Sequence, residues 1–261
     1  MPATYAHFRF GMQLLPMLPS DTQRSVNRFL PLYQVGLHGP DPFYFYSPLS
    51  RTRIGGLGDR YHHAPGRMLF EEAARKLDFR PSEGAMVYLY GVLTHFCLDR
   101  LCHPVINGWA AEGKAAHSEI EAEFDRYLLE LDGRCPPQTQ PIGRHLRLRK
   151  AELPSAAEVY DRVRPGQLRR CLTNMRVVVH LAQTREGWQG ALADKVLDLA
   201  GETGRNFIMH LQPNPRCSWC SVPLLRLYDQ ALQDFPRMLR ALQDYIREKT
   251  PLGPEFDLIF G

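Results

Sequence analysis

Two short runs of the sequence carry histidine and carboxylate side chains at intervals of four residues. In the first run His95, Asp99 and His103 follow one another at this interval, and in the second run His117 precedes Glu121 by four. Residues i and i+4 of an α-helix project from the same face, so each run presents its polar groups together if it is helical. Histidine nitrogen and carboxylate oxygen are both ligands that zinc accepts. The spacing indicates a metal site between two helices; the alternative is a polar helix face whose histidines have no common role.

The segments that must position these runs are predicted to be helices. Ser82 is suited to cap a helix over residues 83–105, and a second, amphipathic helix is predicted over 115–131. The other predicted helices run from Ser20 or Asp21 to about 34, from Pro65 or Gly66 to about 77, and over 155–163, 166–183, 186–199 and 222–248. No stretch alternates apolar and polar residues over the length of a strand. The predicted fold class is therefore all-α, one compact multi-helix domain over residues 1–261, with metal ligands that project inward.

Two segments between these helices are predicted to be loops. Prolines flank Asp41, and proline is poorly tolerated inside a helix, so residues 38–46 are predicted to be an extended loop. Residues 51–60 hold three glycines without a preceding strand or a phosphate-binding pattern, which predicts a flexible loop. Pro31 is expected to end or kink the first long helix early. The aromatic residues 43–46 are expected to pack into the core, with the wall of a cleft as the alternative.

The composition excludes few classes of protein. The 261 residues are 44% hydrophobic and 23% charged, with a net charge of +4, which argues neither for a membrane nor for nucleic acid as a stable partner. No run of 18 apolar residues is present, so no transmembrane segment is expected. The first 20 residues lack the pattern of a signal peptide. We therefore expect a cytoplasmic protein with reduced cysteines; the sequence gives no prediction of its oligomeric state.

The sequence allows more than one role for several other polar residues. Cys217 and Cys220 have the spacing of a redox or zinc motif, but no second pair accompanies them, and a structural role is favoured. His38 is close to Asp41 in the chain and could orient a ligand from behind. His145, His180 and His210 are expected to be surface or hydrogen-bonded residues. A solvated face is favoured over an anion-binding surface for the basic residues Arg144, Arg147, Arg149, Lys150, Arg169 and Arg170.

The polar residues together resemble the pattern of the zinc-dependent phospholipase C family, which is similar in fold to the P1-type nucleases. That pattern consists of an N-terminal His, an Asp in a loop, a lone His, His-x3-Asp, a further His, and His-x3-Glu. Here it falls, in order, on His7, Asp41, His62, His95, Asp99, His103, His117 and Glu121. The resemblance implies an all-α fold that binds three zinc ions at the ends of its helices, and we expect two to three ions here.

The resemblance also implies a role for each residue. Asp99 would bridge two zinc ions, with His62 and His95 completing their ligands. Asp41 would lie at the activated water, as a ligand or as a general base, so Asp41 and Asp99 are the candidate catalytic residues. His62 is favoured over His63 because the family places one His shortly after a glycine loop and before a helix.

The remaining two sites differ in how completely this sequence supplies them. His103, His117 and Glu121 would hold one ion. His7 would hold the third together with backbone atoms of the N-terminus. The secreted relatives begin with a Trp whose amine and carbonyl chelate zinc, and this chain has no such Trp. The third site is complete only if another amine, such as that of Pro2 after removal of Met1, takes its place.

These residues suit the hydrolysis of a phosphodiester. Adjacent zinc ions neutralise the negative phosphate oxygens and lower the pKa of water, which makes the ester open to attack. The leading hypothesis is a phospholipase C-like enzyme that cleaves the head group from a phospholipid. One alternative is a P1-like nuclease or phosphodiesterase with the same metals and a different pocket. An alternative of another class is a non-catalytic protein with structural zinc.

Overall fold

The longest helix in the described part of the chain, Glu83–Ala111, packs against helices from both halves of the sequence. The computed structural model describes residues 3–47, 50, 52–183 and 208–261. Ten α-helices lie in these residues: α1 (Thr4–Leu14), α2 (Ser20–Arg28), α3 (Leu30–Gly36), α4 (Gly56–His62), α5 (Gly66–Lys76), α6 (Glu83–Ala111), α7 (His117–Leu131), α8 (Leu153–Ala157), α9 (Pro165–Ala182) and α10 (Ser221–Glu248). Short 3₁₀ helices include Asp41–Phe45 and Pro254–Asp257. No strand is present in this part of the chain, which confirms the all-α fold class.

Helix α6 begins where the sequence predicts and ends later. The Ser82 hydroxyl accepts a hydrogen bond of 3.1 Å from the Ala85 backbone N–H, which caps the first turn. The predicted end at residue 105 is wrong, because the helix continues to Ala111 with Pro104 inside it. Most of the residues from Gly84 to His103 are buried, so packing on both sides stabilises the helix across the position where proline removes a backbone bond.

Of the other helix predictions, those that end near residues 77, 131, 183 and 248 are confirmed. The first long helix divides at Phe29 into α2 and α3, as Pro31 indicates. The helix predicted over 155–163 is shorter and earlier, at α8, and the prediction for 186–199 lies outside the described residues. Helix α1 was not predicted at all, although it carries His7.

Both loop predictions near the site are wrong in part, because short helices form there. Asp41 begins a 3₁₀ helix, and Pro42 stands in its first turn, where the fixed φ of proline is compatible with helical backbone. The glycine-rich segment forms α4 from Gly56 onward. A Cβ at Gly58 would lie 2.9 Å from the Tyr44 ring, so the glycine allows close packing between these two short helices. Tertiary contacts thus override the low helix propensity of glycine.

Helices α3 and α6 touch through their backbones. A Cβ on Gly91 would lie 2.4 Å from the carbonyl oxygen of Tyr33, and one on Gly36 would lie 2.5 Å from that of Tyr88. The two glycines therefore let the end of α3 reach the middle of α6, and the chain that follows α3 passes directly over His95. None of the helices in the described parts of the chain is long and apolar enough to cross a membrane.

Candidate metal centre

The structure brings all eight sequence-predicted site residues together in three neighbouring groups, two of which share His95. Helix α6 supplies the central residues, α7 faces it, and α1, α4 and the 3₁₀ helix at Asp41 complete the cluster. Among the described residues, the groups whose ligand atoms all lie within 4.8 Å of one another are His7 with His95 and Asp99, Asp41 with His62 and His95, and His103 with His117 and Glu121. Each group could hold a metal ion. None of them includes a cysteine.

Asp99 lies where the first group meets the others. Its Oδ1 is 3.1 Å from His7 Nε2, and its Oδ2 is 2.8 Å from His95 Nε2. The Nδ1 of His103 lies 3.8 Å from the same Oδ2. The two oxygens of one carboxylate thus point toward different histidines, which is the arrangement that a bridging ligand needs.

Backbone carbonyls orient the buried histidines. His62 Nδ1 donates to the Gly58 carbonyl at 2.8 Å, His95 Nδ1 donates to Leu37 at 3.2 Å, and His103 Nδ1 donates to Phe260 at 2.7 Å. A carbonyl only accepts, so each Nδ1 must carry the proton. In a neutral ring the Nε2 lone pair is then free and points into the cluster, as a metal-binding histidine requires.

Several of these inward-facing atoms have no hydrogen-bond partner within the described structure. They are the buried atoms Asp41 Oδ1, His62 Nε2, His95 Nε2 and Asp99 Oδ2. His62 Nε2 and Asp41 Oδ1 are 2.9 Å apart, but their geometry is not that of a hydrogen bond. Buried polar atoms without partners are costly, and lone pairs that face one another repel unless a cation lies between them. The donor set therefore fits a metal such as zinc.

The charge states within the cluster also suit a metal. Burial raises the pKa of the Asp99 carboxyl, but the neighbouring His103, His95 and His7 side chains outweigh this and hold the pKa well below its ordinary value. Burial lowers the pKa of His95 below its ordinary value despite Asp99, so this imidazole is neutral. Burial also lowers the pKa of His103, but Asp99 and Glu121 oppose it and raise the pKa to about 9. At neutral pH and without a metal, His103 therefore carries a proton on Nε2 as well as on Nδ1.

The group of His103, His117 and Glu121 forms the open side of the cluster. The His117 side chain is 32% exposed, whereas that of Glu121 is 3% exposed. His117 Nδ1 donates to the Asn107 side-chain oxygen at 2.7 Å, and its Nε2 lies 3.3 Å from Glu121 Oε1. His117 is therefore the most solvent-accessible of the eight residues.

Asp125, which was not among the predicted site residues, anchors the helix that carries His7. Its two carboxylate oxygens accept the backbone N–H groups of Tyr5 at 2.9 Å and Ala6 at 2.7 Å, in the first turn of α1. A carboxylate at a helix N-terminus satisfies backbone donors that have no partner within the helix. Asp125 follows Glu121 by four residues, so it lies on the same face of α7 as the predicted ligands. The four-residue spacing from Glu121 is the feature of the sequence that could have identified Asp125.

The remaining predicted residues lie outside the three groups. His63 is exposed, and its Nδ1 contacts the Asp59 carbonyl, away from the cluster. His38 is buried, and its Nε2 lies 2.6 Å from that of His145, which also stacks on Phe8. His145 is therefore a hydrogen-bonded residue, as expected.

The thiols and the aromatic run have structural surroundings. Cys217 and Cys220 are buried, their Sγ atoms face backbone carbonyls of α7, and burial raises the pKa of both thiols. Such thiols are protonated and unreactive. Phe43 and Phe45 are buried in the core, as favoured by the sequence, whereas Tyr44 is partly buried with its ring 5.4 Å from that of His62.

Comparison with known protein families matches residues 6–175 to zinc-dependent phospholipase C. This range contains all eight residues of the cluster and covers more than half of the chain. Comparisons with curated proteins and with solved structures gave no match. The order of the eight residues along the sequence and the helical fold both agree with this match. The chain therefore belongs to the zinc-dependent phospholipase C family.

Proposed function

We propose that this protein is a zinc-dependent phosphodiester hydrolase of the phospholipase C type, which releases a phosphorylated head group from a phospholipid. The observation that carries the proposal is the convergence of three His and carboxylate groups around Asp99, with buried lone pairs that face one another. His103, His117 and Glu121 supply three protein ligands, as do Asp41, His62 and His95, and three is the number typical of catalytic zinc sites; structural sites have four. The family match favours a phospholipid as the substrate.

The proposed ligands follow the three groups. His103, His117 and Glu121 would hold one zinc ion. Asp41, His62 and His95 would hold a second, with His62 as the ligand instead of the exposed His63. His7 would hold a third next to Asp99, and the two oxygens of Asp99 would be shared between ions.

Asp41 is the proposed catalytic carboxylate besides Asp99. Bound zinc supplies positive charge that neutralises the phosphate and makes water nucleophilic near neutral pH. Burial raises the pKa of Asp41, but His95 and His62 outweigh it, so the net pKa is below its ordinary value and the group is ionised. The 3₁₀ helix holds this carboxylate 2.9 Å from His62 Nε2, where it can orient the water or accept its proton.

A substrate screen with zinc-loaded protein tests the proposal. We expect hydrolysis of p-nitrophenyl phosphorylcholine and of phosphatidylcholine vesicles, loss of both activities with a chelator, and recovery with zinc. Asp99→Ala is expected to abolish activity and to remove more than one metal equivalent. His63→Ala serves as the control, because His63 is an exposed histidine outside the three groups.

The same screen separates the alternatives. Turnover of single-stranded DNA without turnover of lipid would replace the phospholipase proposal with the P1-like nuclease. Two or three zinc equivalents without hydrolysis of any phosphodiester would favour structural zinc. Protein that contains no metal, and takes none up on titration, would refute the zinc sites altogether.

A further inference from the structure

The last described segment of the chain lies against the metal centre. We call residues 253–261 the closing segment; it lies outside the range that matches the family. Phe256 and Phe260 are fully buried, and their rings pack against Phe70 and Phe96 at centroid distances of 4.7–6.5 Å. The Leu258 carbonyl accepts from the Gly66 N–H at 2.8 Å, which fixes the segment to the start of α5.

Two backbone groups of this segment bond directly to ligand histidines. The Phe260 carbonyl accepts from His103 Nδ1 at 2.7 Å, and the Gly261 N–H donates to the carbonyl of His62 at 2.9 Å. The Phe260 ring also lies 5.9 Å from the His95 ring and 6.0 Å from the His62 ring. One short segment thus contacts three of the histidines that surround the cluster.

The fit at Gly261 leaves little room for a side chain. A Cβ there would lie 3.1 Å from His62 Cδ2 and 3.2 Å from His103 Nδ1. These distances are tighter than ordinary van der Waals contact, so the two imidazole rings would have to move apart. The backbone of the closing segment is packed between ligands from α4 and α6.

We propose that the closing segment belongs to the metal centre and positions His103 for metal binding. The Phe260 carbonyl fixes the proton of His103 on Nδ1, which directs Nε2 toward Glu121, 3.3 Å away. Partners behind a metal-binding histidine hold its tautomer and ring orientation, and their loss reduces metal affinity. The inference rests on His103 as a ligand in the proposed function, and it adds a determinant of zinc retention outside the family-matched region.

Three variants test this role. A chain that stops after Ile259 lacks both backbone contacts, and Gly261→Val crowds His62 and His103. Phe256→Leu is the matched control, because it removes an aromatic ring of the same segment that packs on Phe70 and Phe96. Zinc affinity is measured by competition with a chelator, and the environment of the site is read from the visible spectrum of the cobalt-substituted protein.

At the site of His103, we expect the truncated chain and Gly261→Val to bind zinc about ten- to hundredfold more weakly than the parent, with an altered cobalt spectrum. Gly261→Val should also weaken the site of His62, whose ring it crowds. Phe256→Leu should retain the parental affinity and spectrum, even if its thermal stability falls. If the truncated chain does not fold, Gly261→Val decides the question. Parental affinity in Gly261→Val, or an equal loss in Phe256→Leu, would overturn the inference. A parent protein that binds no zinc would instead refute the proposed function.

Discussion

Gly39 lies where the backbone presses on His95, so a single methyl group at this position should disturb the metal centre. Its φ of +44° is in the left-handed region, where an alanine costs about 1–2 kcal/mol. A Cβ would also lie 2.5 Å from His95 Cδ2. Ordinary carbon contacts are about 3.5–4.0 Å, so the ring or the loop must move by roughly 1 Å. Overpacking of this kind costs a further 1–3 kcal/mol or so.

This displacement is larger than a metal site tolerates. Ligand distances in zinc sites vary by about 0.2 Å, and His95 is fully buried, with Nδ1 held by the Leu37 carbonyl. We therefore expect Gly39→Ala to lower zinc affinity by roughly ten- to hundredfold, in the range found when the support of a ligand is lost. The free energy of unfolding of the zinc-free protein should fall by about 2–5 kcal/mol, the sum of the strain and the overpacking.

Gly113→Ala is the matched control for this experiment. Gly113 has a φ of +73°, and a Cβ there would meet nothing within 4 Å. It therefore reports the cost of left-handed backbone alone, about 1–2 kcal/mol, without a clash. Denaturant unfolding of the zinc-free variants and chelator competition give the two quantities. Equal losses of stability in the two variants, with unchanged zinc affinity in Gly39→Ala, would refute the packing argument.

Three further predictions concern the ligands themselves. At saturating zinc, Asp41→Asn should lower kcat on p-nitrophenyl phosphorylcholine by roughly 10²–10⁴-fold, the range for a lost acid–base group, and unchanged turnover would exclude that role. His62→Ala should lose a zinc equivalent in metal analysis while His63→Ala keeps all of them; equal effects would contradict the assignment. Zinc must displace a proton from His103, whose pKa without metal is about 9. Affinity at that site should therefore rise about tenfold per pH unit from 7 to 9 and level off above, and a flat profile in chelator competition would show that His103 binds no metal.

The sequence predicts the part of the site that local geometry determines. His95, Asp99 and His103 lie on one face of α6 because of their spacing, and the same rule places His117 with Glu121 on α7. Asp41 and His62 could not be placed by spacing, because they belong to short helices that the sequence predicted as loops. For these two residues the order of the family motif supplied the prediction.

The support around the ligands was not predictable from local patterns. The bond from His103 to the Phe260 carbonyl joins residues 157 positions apart, and the bond from Tyr5 to Asp125 spans 120. Neither contact has a periodicity in the sequence. The carbonyl groups of Leu37 and Phe260 belong to the backbone, so no side chain at those positions identifies them as partners of histidines. The prediction of one domain over residues 1–261 also stays a prediction.

The way the histidines are held bears on the choice between catalysis and structural zinc. Small proteins that depend on structural zinc are unfolded without it, because the metal supplies much of the folding free energy. Here one large apolar cluster joins residues from Tyr5 to Phe260 and gives the fold a hydrophobic core of its own. A chain of this size with such a core differs from the small proteins that take most of their folding free energy from zinc. The backbone carbonyls of Gly58, Leu37 and Phe260 orient three histidine rings through their Nδ1 atoms. Preorganisation of this kind reduces the reorganisation needed during a reaction, and it therefore favours the hydrolase over the structural-zinc alternative.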